Sequence, residues 1–385
     1  MNEMSWPPQV PSGPPPMPVP PPMPVAFSGS RREFFDLAKR GAALELVTLG
    51  FYRFWLLTDI RRHLWSNTLV DGDAAEYTGR GKELLIGFLV ALAILVPVYL
   101  GYFLIGLEAE HYQAFASIPL IAFFYLFGQF AIFRARRYRM TRTVWRGVRF
   151  WMTGSGWIYA LQASLWGLLM ILTLGLILPW RAAALERFKM KHTHYGNLQG
   201  SFEGKASDFF KKAWWLWLLC WPAALFIFPL PFIYAVFKAI EWRWWVTGLR
   251  IGEVRFESDL DFSDLMGFYW KVIGWIVLFV TIFSMWAGIV GGIGAAFMKG
   301  ASGPEQFASV MQNPFVLAGM GLGYVMLALA FNVVLRIYLM RDLWAKIAST
   351  TVVHNLSAAD EVVAQGDAVN ALGEGFADSL DVGGF

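Results

Sequence analysis

The chain has 385 residues, 57% of them hydrophobic, 17% aromatic and only 16% charged, with a formal net charge of +4. Soluble domains carry about 25% charged residues. A chain this apolar would aggregate in water, so the ordinary soluble enzyme and the soluble binding module are excluded. A single cysteine, Cys220, rules out an intrachain disulfide.

Residues 6–25 are proline-rich. Proline fixes φ and lacks an amide hydrogen, so the stretch predicts an extended polyproline II tail, a possible ligand for a Pro-binding partner. The start has no basic, apolar signal-peptide pattern. A weaker apolar segment follows at 41–58, interrupted by Glu45 and Arg53. Six stretches of 20 or more residues then lack Asp, Glu, Lys and Arg: 84–107, 114–133, 157–180, 213–237, 272–298 and 315–335. About 20 helical residues cross a hydrocarbon core of roughly 30 Å. Trp65, Trp145, Trp151, Trp180, Trp214, Trp242 and Trp244 flank these runs, as indoles do at headgroup level. The acidic end, 355–385, has no Lys or Arg and predicts disorder.

Shifted by 125 residues, the chain matches itself without a gap. Gly29 falls on Gly154, and Thr48-Leu49-Gly50 on Thr173-Leu174-Gly175. Trp55 falls on Trp180, Arg62 on Arg187, Thr68 on Thr193 and Gly79 on Gly204. A second, looser pair joins 133–150 to 237–256. Internal repeats are an architectural signal. Each unit ends in a basic helix, then Thr, a central Gly and an aromatic residue, which predicts four small β-hairpins on one membrane face. The expected architecture is mainly α: a polytopic α-helical membrane protein with internal repeats and small cytoplasmic β-hairpins. Its parts are a Pro-rich tail (1–26), a first repeat half (27–151), a second half with a final helix pair (152–353) and an acidic tail (354–385).

Basic residues crowd 134–149, 181–212 and 238–255, whereas loop 108–113 has no Lys or Arg and 299–314 has only Lys299. The positive-inside rule places the basic segments and both chain ends in the cytoplasm. Segments 157–180 and 213–237 each lie between basic stretches. Either they cross once, against the rule, or they fold back at Thr173-Leu174-Gly175 and at Pro222, Pro229 and Pro231. Both readings stand on sequence alone. Gly288-x-x-x-Gly292 and Gly319-x-x-x-Gly323 predict that the last two helices pack together.

No catalytic, cofactor or metal constellation emerges. His192-x-His194 lacks further ligands at useful spacing and reads better as a strand. Glu45 is the one acid in a plausible membrane segment, opposite Met170 in the repeat. Arg134, Arg136, Arg137, Arg142 and Arg149 are candidate contacts for anionic phospholipid. Nothing suggests nucleic acid as a partner.

Phe27-x-Gly29, Thr48-Leu49-Gly50-Phe51-Tyr52-x-Phe54-Trp55, Arg61-Arg62-x-Leu64-Trp65-x-Asn67-Thr68 and Tyr77-x-Gly79 resemble the YjgN family. These are bacterial inner-membrane proteins grouped under a domain of unknown function. The resemblance runs from about residue 26 to 353. It implies a multi-pass inner-membrane location and no known activity. The expected function is therefore handling or transport of a lipid or small solute through a cavity between repeated helical units, and not catalysis. The alternative is a membrane scaffold that recruits cytoplasmic partners.

Overall fold

A computed structural model of the protein describes residues 21–108, 113–223, 230–297, 310 and 312–366. Strand β1 (Met23–Phe27) leads into α1 (Arg31–Val47) and α2 (Arg53–Ser66), then β2 (Thr68–Val70). The same order follows with β3 (Asp73–Tyr77), α3 (Gly81–Glu108), α4 (Gln113–Thr141) and β4 (Thr143–Trp145). Next come β5 (Val148–Met152), α5 (Gly156–Leu172), α6 (Leu178–Lys191) and β6 (Thr193–Tyr195). Then β7 (Leu198–Phe202), α7 (Ala206–Ala223), α8 (Leu230–Gly248) and β8 (Leu249–Ile251). The last set is β9 (Val254–Ser258), α9 (Phe262–Phe297), α10 (Pro314–Ser349) and β10 (Thr351–His354). A π-helical stretch, Arg336–Asp342, lies within α10.

The ten strands form one closed antiparallel barrel. This overturns the expectation of a mainly α protein with isolated small hairpins. The four expected hairpin sites do carry strands, but each pairs edge to edge with its neighbours, as in Phe150 opposite Tyr195 and Phe202 opposite Leu249. The ring is completed by β1, which pairs with β2 through Val25 and Val70 and with β10 through Met23 and Val353. An isolated two-stranded hairpin exposes two unpaired edges and is marginally stable, and closure removes every edge. Residues 23–25, expected in the polyproline tail, therefore belong to a strand.

Two-residue turns join the strands at one rim. Asp71 and Gly72 have φ of 55° and 81°, and Arg146 and Gly147 have 46° and 74°, the backbone a tight hairpin turn needs. At the opposite rim every strand meets a helix. There Thr68, Thr143, Thr193 and Thr351 donate hydroxyl bonds of 2.8–2.9 Å to the carbonyl four residues back, satisfying the helix end. Arg62 and Arg187 donate to the carbonyls of Gly79 (2.8 Å) and Gly204 (3.0 Å), tying each helix to the next unit.

The Thr-Leu-Gly tripeptides reverse the chain. Leu49 and Gly50 have φ of 52° and 88°, and Leu174 and Gly175 have 50° and 87°. Gly50 and Gly175 donate to the carbonyls of Glu45 and Met170, five residues back, which is a Schellman ending. Hence α1 with α2, and α5 with α6, are helical hairpins that leave and re-enter the same barrel rim. β7 and β8, which flank α7 and α8, also pair. Neighbouring helices pack in sequence and α10 returns to α1, so the ten long helices among the described residues close a ring below the barrel.

The barrel interior is apolar: Val25, Trp145, Tyr195, Val254 and Val353 are buried there. The chain after β10 plugs the turn rim, with Leu356 and Ala359 in the same core. Residues 355–366, expected to be disordered, are thus placed by their apolar side chains, while 367–385 lie outside the described residues. Gly319 and Gly323 do face α9, at Val290 and Trp286, but Gly288 and Gly292 meet nothing within 4 Å. Only half of the small-residue motif makes the α9–α10 contact.

Candidate functional site

Among the described residues four helices are long and apolar enough to cross a membrane: Gly81–Leu104, Ile118–Thr141, Phe262–Ala296 and Pro314–Ser349. α3, with 28 residues, reaches about 42 Å from the barrel, whereas α5, with 17, reaches about 25 Å. Trp55, Trp180, Trp214, Trp215 and Trp270 are exposed. Each stands 8 to 11 residues from the barrel end of its helix, at about 12 to 17 Å. These five share one depth, the position indoles prefer at a bilayer boundary, whereas the exposed Trp157 lies at the barrel end of α5 and Trp221 and Trp286 lie farther out. Beyond that shared depth α3 extends roughly a further 28 Å, close to a hydrocarbon core, and α5 only about 10 Å.

At and beyond the level of these tryptophans a cavity of about 390 Å³ opens between α6, α7 and α8, lined by Trp214 itself. Its walls include Leu178, Ala213, Trp217, Cys220, Ile233 and Tyr234, with no charged residue among the described residues. The indole of Trp217 donates to the Leu174 carbonyl at 2.9 Å, fixing one wall to the Thr-Leu-Gly turn. The size lies at the lower end of ligand pockets. A half-open apolar groove of this kind accepts a hydrocarbon chain and offers little to a polar solute.

Toward the barrel the ring interior becomes ionic. Glu186 on α6 is buried, with Arg136 of α4 at 2.7 Å and Lys189 at 2.6 Å. Burial alone would raise the Glu186 carboxyl, but Arg136 and then Lys189 outweigh it and hold it down at about 2. Sequence reasoning passed over Glu186 because it sits inside a stretch read only for its basic residues. The i, i+3 spacing to Lys189 was the available signal.

The candidate lipid contacts are set among protein groups. Arg142 pairs with Glu83 at 3.0 Å, Arg149 donates to the Thr141 carbonyl at 2.6 Å, and Arg134 stands 5.3 Å over the Phe130 ring. Arg136 meets Glu186, and Arg137 is half-buried on α4. Glu45 faces Arg336 of α10 at 2.9 Å. His192 turns to the Thr153 hydroxyl at 3.1 Å, whereas His194 stacks on Trp151 at 4.2 Å, so the two rings enter different surroundings. The expected loops 108–113 and 299–314, and Pro229, lie largely outside the described residues.

A barrel that carries helices long enough to span lipid, above an apolar cavity, defines a membrane protein. The chain belongs to a family described as bacterial proteins of unknown function, DUF898, whose sequence profile matches residues 22–239. That agrees with the resemblance to the YjgN family. No curated protein and no solved structure matches the chain.

Proposed function

We propose that the protein is a multi-pass component of the bacterial inner membrane, built of five repeated strand-helix-helix-strand units, with its barrel and both ends in the cytoplasm. Its role is to bind the hydrocarbon part of a membrane lipid in the α6–α7–α8 cavity, as a step in lipid handling rather than in catalysis. The observation that carries this reading is the uncharged lining of the cavity, which reaches from the level of Trp214 outward to Leu230. The basic helix ends gather at the barrel side, which supports a cytoplasmic barrel through the positive-inside rule.

The test is lipid retention. Purified wild-type protein should carry about one lipid per chain in native mass spectrometry, and Ala213→Trp, which fills the cavity, should lose it. Equal retention by the variant would remove the cavity from the function. The scaffold reading rests on residues 6–25, most of which lie outside the described residues, and no contact favours it.

A further inference from the structure

The tips of the α1–α2 and α5–α6 hairpins present bare apolar side chains. Leu49 is 89% exposed and Ile171 76%, and Val47, Phe51, Leu172 and Leu174 are exposed beside them. α1 and α5 each have 17 residues, so the tips stand about 25 Å from the barrel, roughly 10 Å beyond the level of Trp55 and Trp180. Half of a hydrocarbon core is about 15 Å. The tips therefore end inside the barrel-side leaflet, short of the midplane.

Irregular backbone is kept out of lipid by its open polar groups. These two reversals close their amides. Every amide from Thr48 to Arg53 donates within the turn. The Thr48 hydroxyl accepts from the Tyr52 amide at 2.9 Å and donates to the Leu44 carbonyl at 2.7 Å. The amides of residues 173–176 are bonded in the same way, and the Trp217 indole covers the Leu174 carbonyl. Charge is kept back as well. Residues 157–180 hold none, Glu45 pairs with Arg336, and the Arg53 guanidinium lies 4.7 Å over the Phe54 ring and 4.8 Å over Phe88. α2 packs on α3 and α5 on α4, so each tip continues the surface of a spanning helix. A second copy in the same bilayer would meet helix flanks, whereas these residues stand at helix ends.

We infer that both tips lie among the acyl chains of the barrel-side leaflet, so that these hairpins wedge one leaflet only and the protein favours membrane convex on its barrel side. This rests on the membrane reading and is independent of the cavity. α1, α2, α5 and α6, each about 10 Å across, take area from the barrel-side leaflet and none from the far one. Helices confined to one leaflet are sensitive to curvature for this reason.

Full-length Cys220→Ala protein in bilayers of phosphatidylethanolamine and phosphatidylglycerol would carry one nitroxide, on a cysteine at Leu49, Leu174, Leu100 or Asn197. Leu100 is exposed on α3 about 28 Å from the barrel, and Asn197 is exposed at the turn rim. Labels at Leu49 and Leu174 should collide far more with oxygen than with a water-soluble nickel chelate, as at Leu100. Chelate access as high as at Asn197 would put the tips in water, and low access to both reagents would put protein over them. Either result overturns the wedge. Chelate access at Leu100 as well would remove the membrane reading itself. In tubes drawn from giant vesicles, protein with its barrel outward should be enriched over the parent membrane, and protein with its barrel inward depleted. Equal density in both orientations would overturn the curvature preference.

Discussion

Glu45 on α1 and Arg336 on α10 form an ion pair of 2.9 Å across 291 positions of sequence, joining the first helix of the ring to the last. Both side chains are largely enclosed, at 11% and 17% exposure, and Arg336 opens the π-helical stretch of α10. The acid that the sequence singled out is thus a clasp on the ring. Breaking a buried pair on one side leaves an uncompensated charge and costs about 3 kcal/mol or more. Glu45→Ala should lower the thermal midpoint in detergent, and Glu45→Ala with Arg336→Met should recover much of the loss. A single variant as stable as wild type would show that the clasp carries no weight.

The glycine two residues after β1, β3, β5 and β7 (Gly29, Gly79, Gly154 and Gly204) is a packing requirement, whereas Leu260 stands at that place after β9. A Cβ on Gly204 would lie 2.5 Å from the Phe202 ring and 3.2 Å from Trp244, and one on the neighbouring Gly248 would lie 2.5 Å from the same ring and 2.9 Å from the Gly204 backbone nitrogen. Gly204→Ala should therefore destabilise by about 1 to 3 kcal/mol through overpacking. Gly128→Ala, where a Cβ meets nothing within 4 Å, is the control and should be close to neutral or mildly stabilising. Equal effects at the two positions in a denaturation series would contradict the packing argument.

Acid should weaken the barrel through its histidines. Burial lowers the His194 and His192 pKa below the ordinary 6.5. A depressed folded pKa means that the unfolded chain binds the proton more tightly. Their contribution is then complete above about pH 6.5 and is lost as the pH falls through the folded values. The melting temperature should drop between pH 7.5 and 5, and His192→Gln with His194→Gln should flatten that part of the curve. An identical slope in the double variant would place the acid sensitivity elsewhere.

Arg146 latches the plug. Its guanidinium contacts Asp71 (2.8 Å), Asp73 and Asp360 (2.8 Å), so one turn residue ties two turns to the segment after β10. Asn197 adds two bonds to Val363, of 3.1 and 3.0 Å. The acids are exposed, so the ion pairs are screened and each is worth about 1 kcal/mol or less. Arg146→Ala should speed hydrogen exchange of 356–363 several-fold with the helices unaffected, and high salt should mimic it. Unchanged exchange there would leave the apolar contacts of Leu356 and Ala359 as the whole anchor.

The pairing of β5 with β6 makes a topological claim. Two strands that exchange hydrogen bonds cannot lie on opposite sides of a bilayer, so α5 and α6 together must go in and return. With Cys220 replaced by Ala, a cysteine at Asn197 should stay protected from an impermeant thiol reagent in intact cells and react after lysis. Labelling of intact cells would put the barrel outside.

The sequence alone pointed to residence in lipid and to the sites of the strand turns; it left open whether the chain reverses at Thr-Leu-Gly, which the pairing of β5 with β6 decided. The first two are local properties: the length of an apolar run, and the backbone angles that Asp71-Gly72 adopts. Only the tertiary structure decided that the hairpins close into a barrel, because strands of three to five residues have no periodic signal and β1 finds β10 more than 300 residues away. The same holds for the plug, whose few apolar residues were outvoted by acidic neighbours, and for Glu186, whose charge has meaning only once Arg136 from another helix is beside it. Edges, cavities and ion pairs belong to surfaces that exist only after distant segments meet, and the candidate site is made of these.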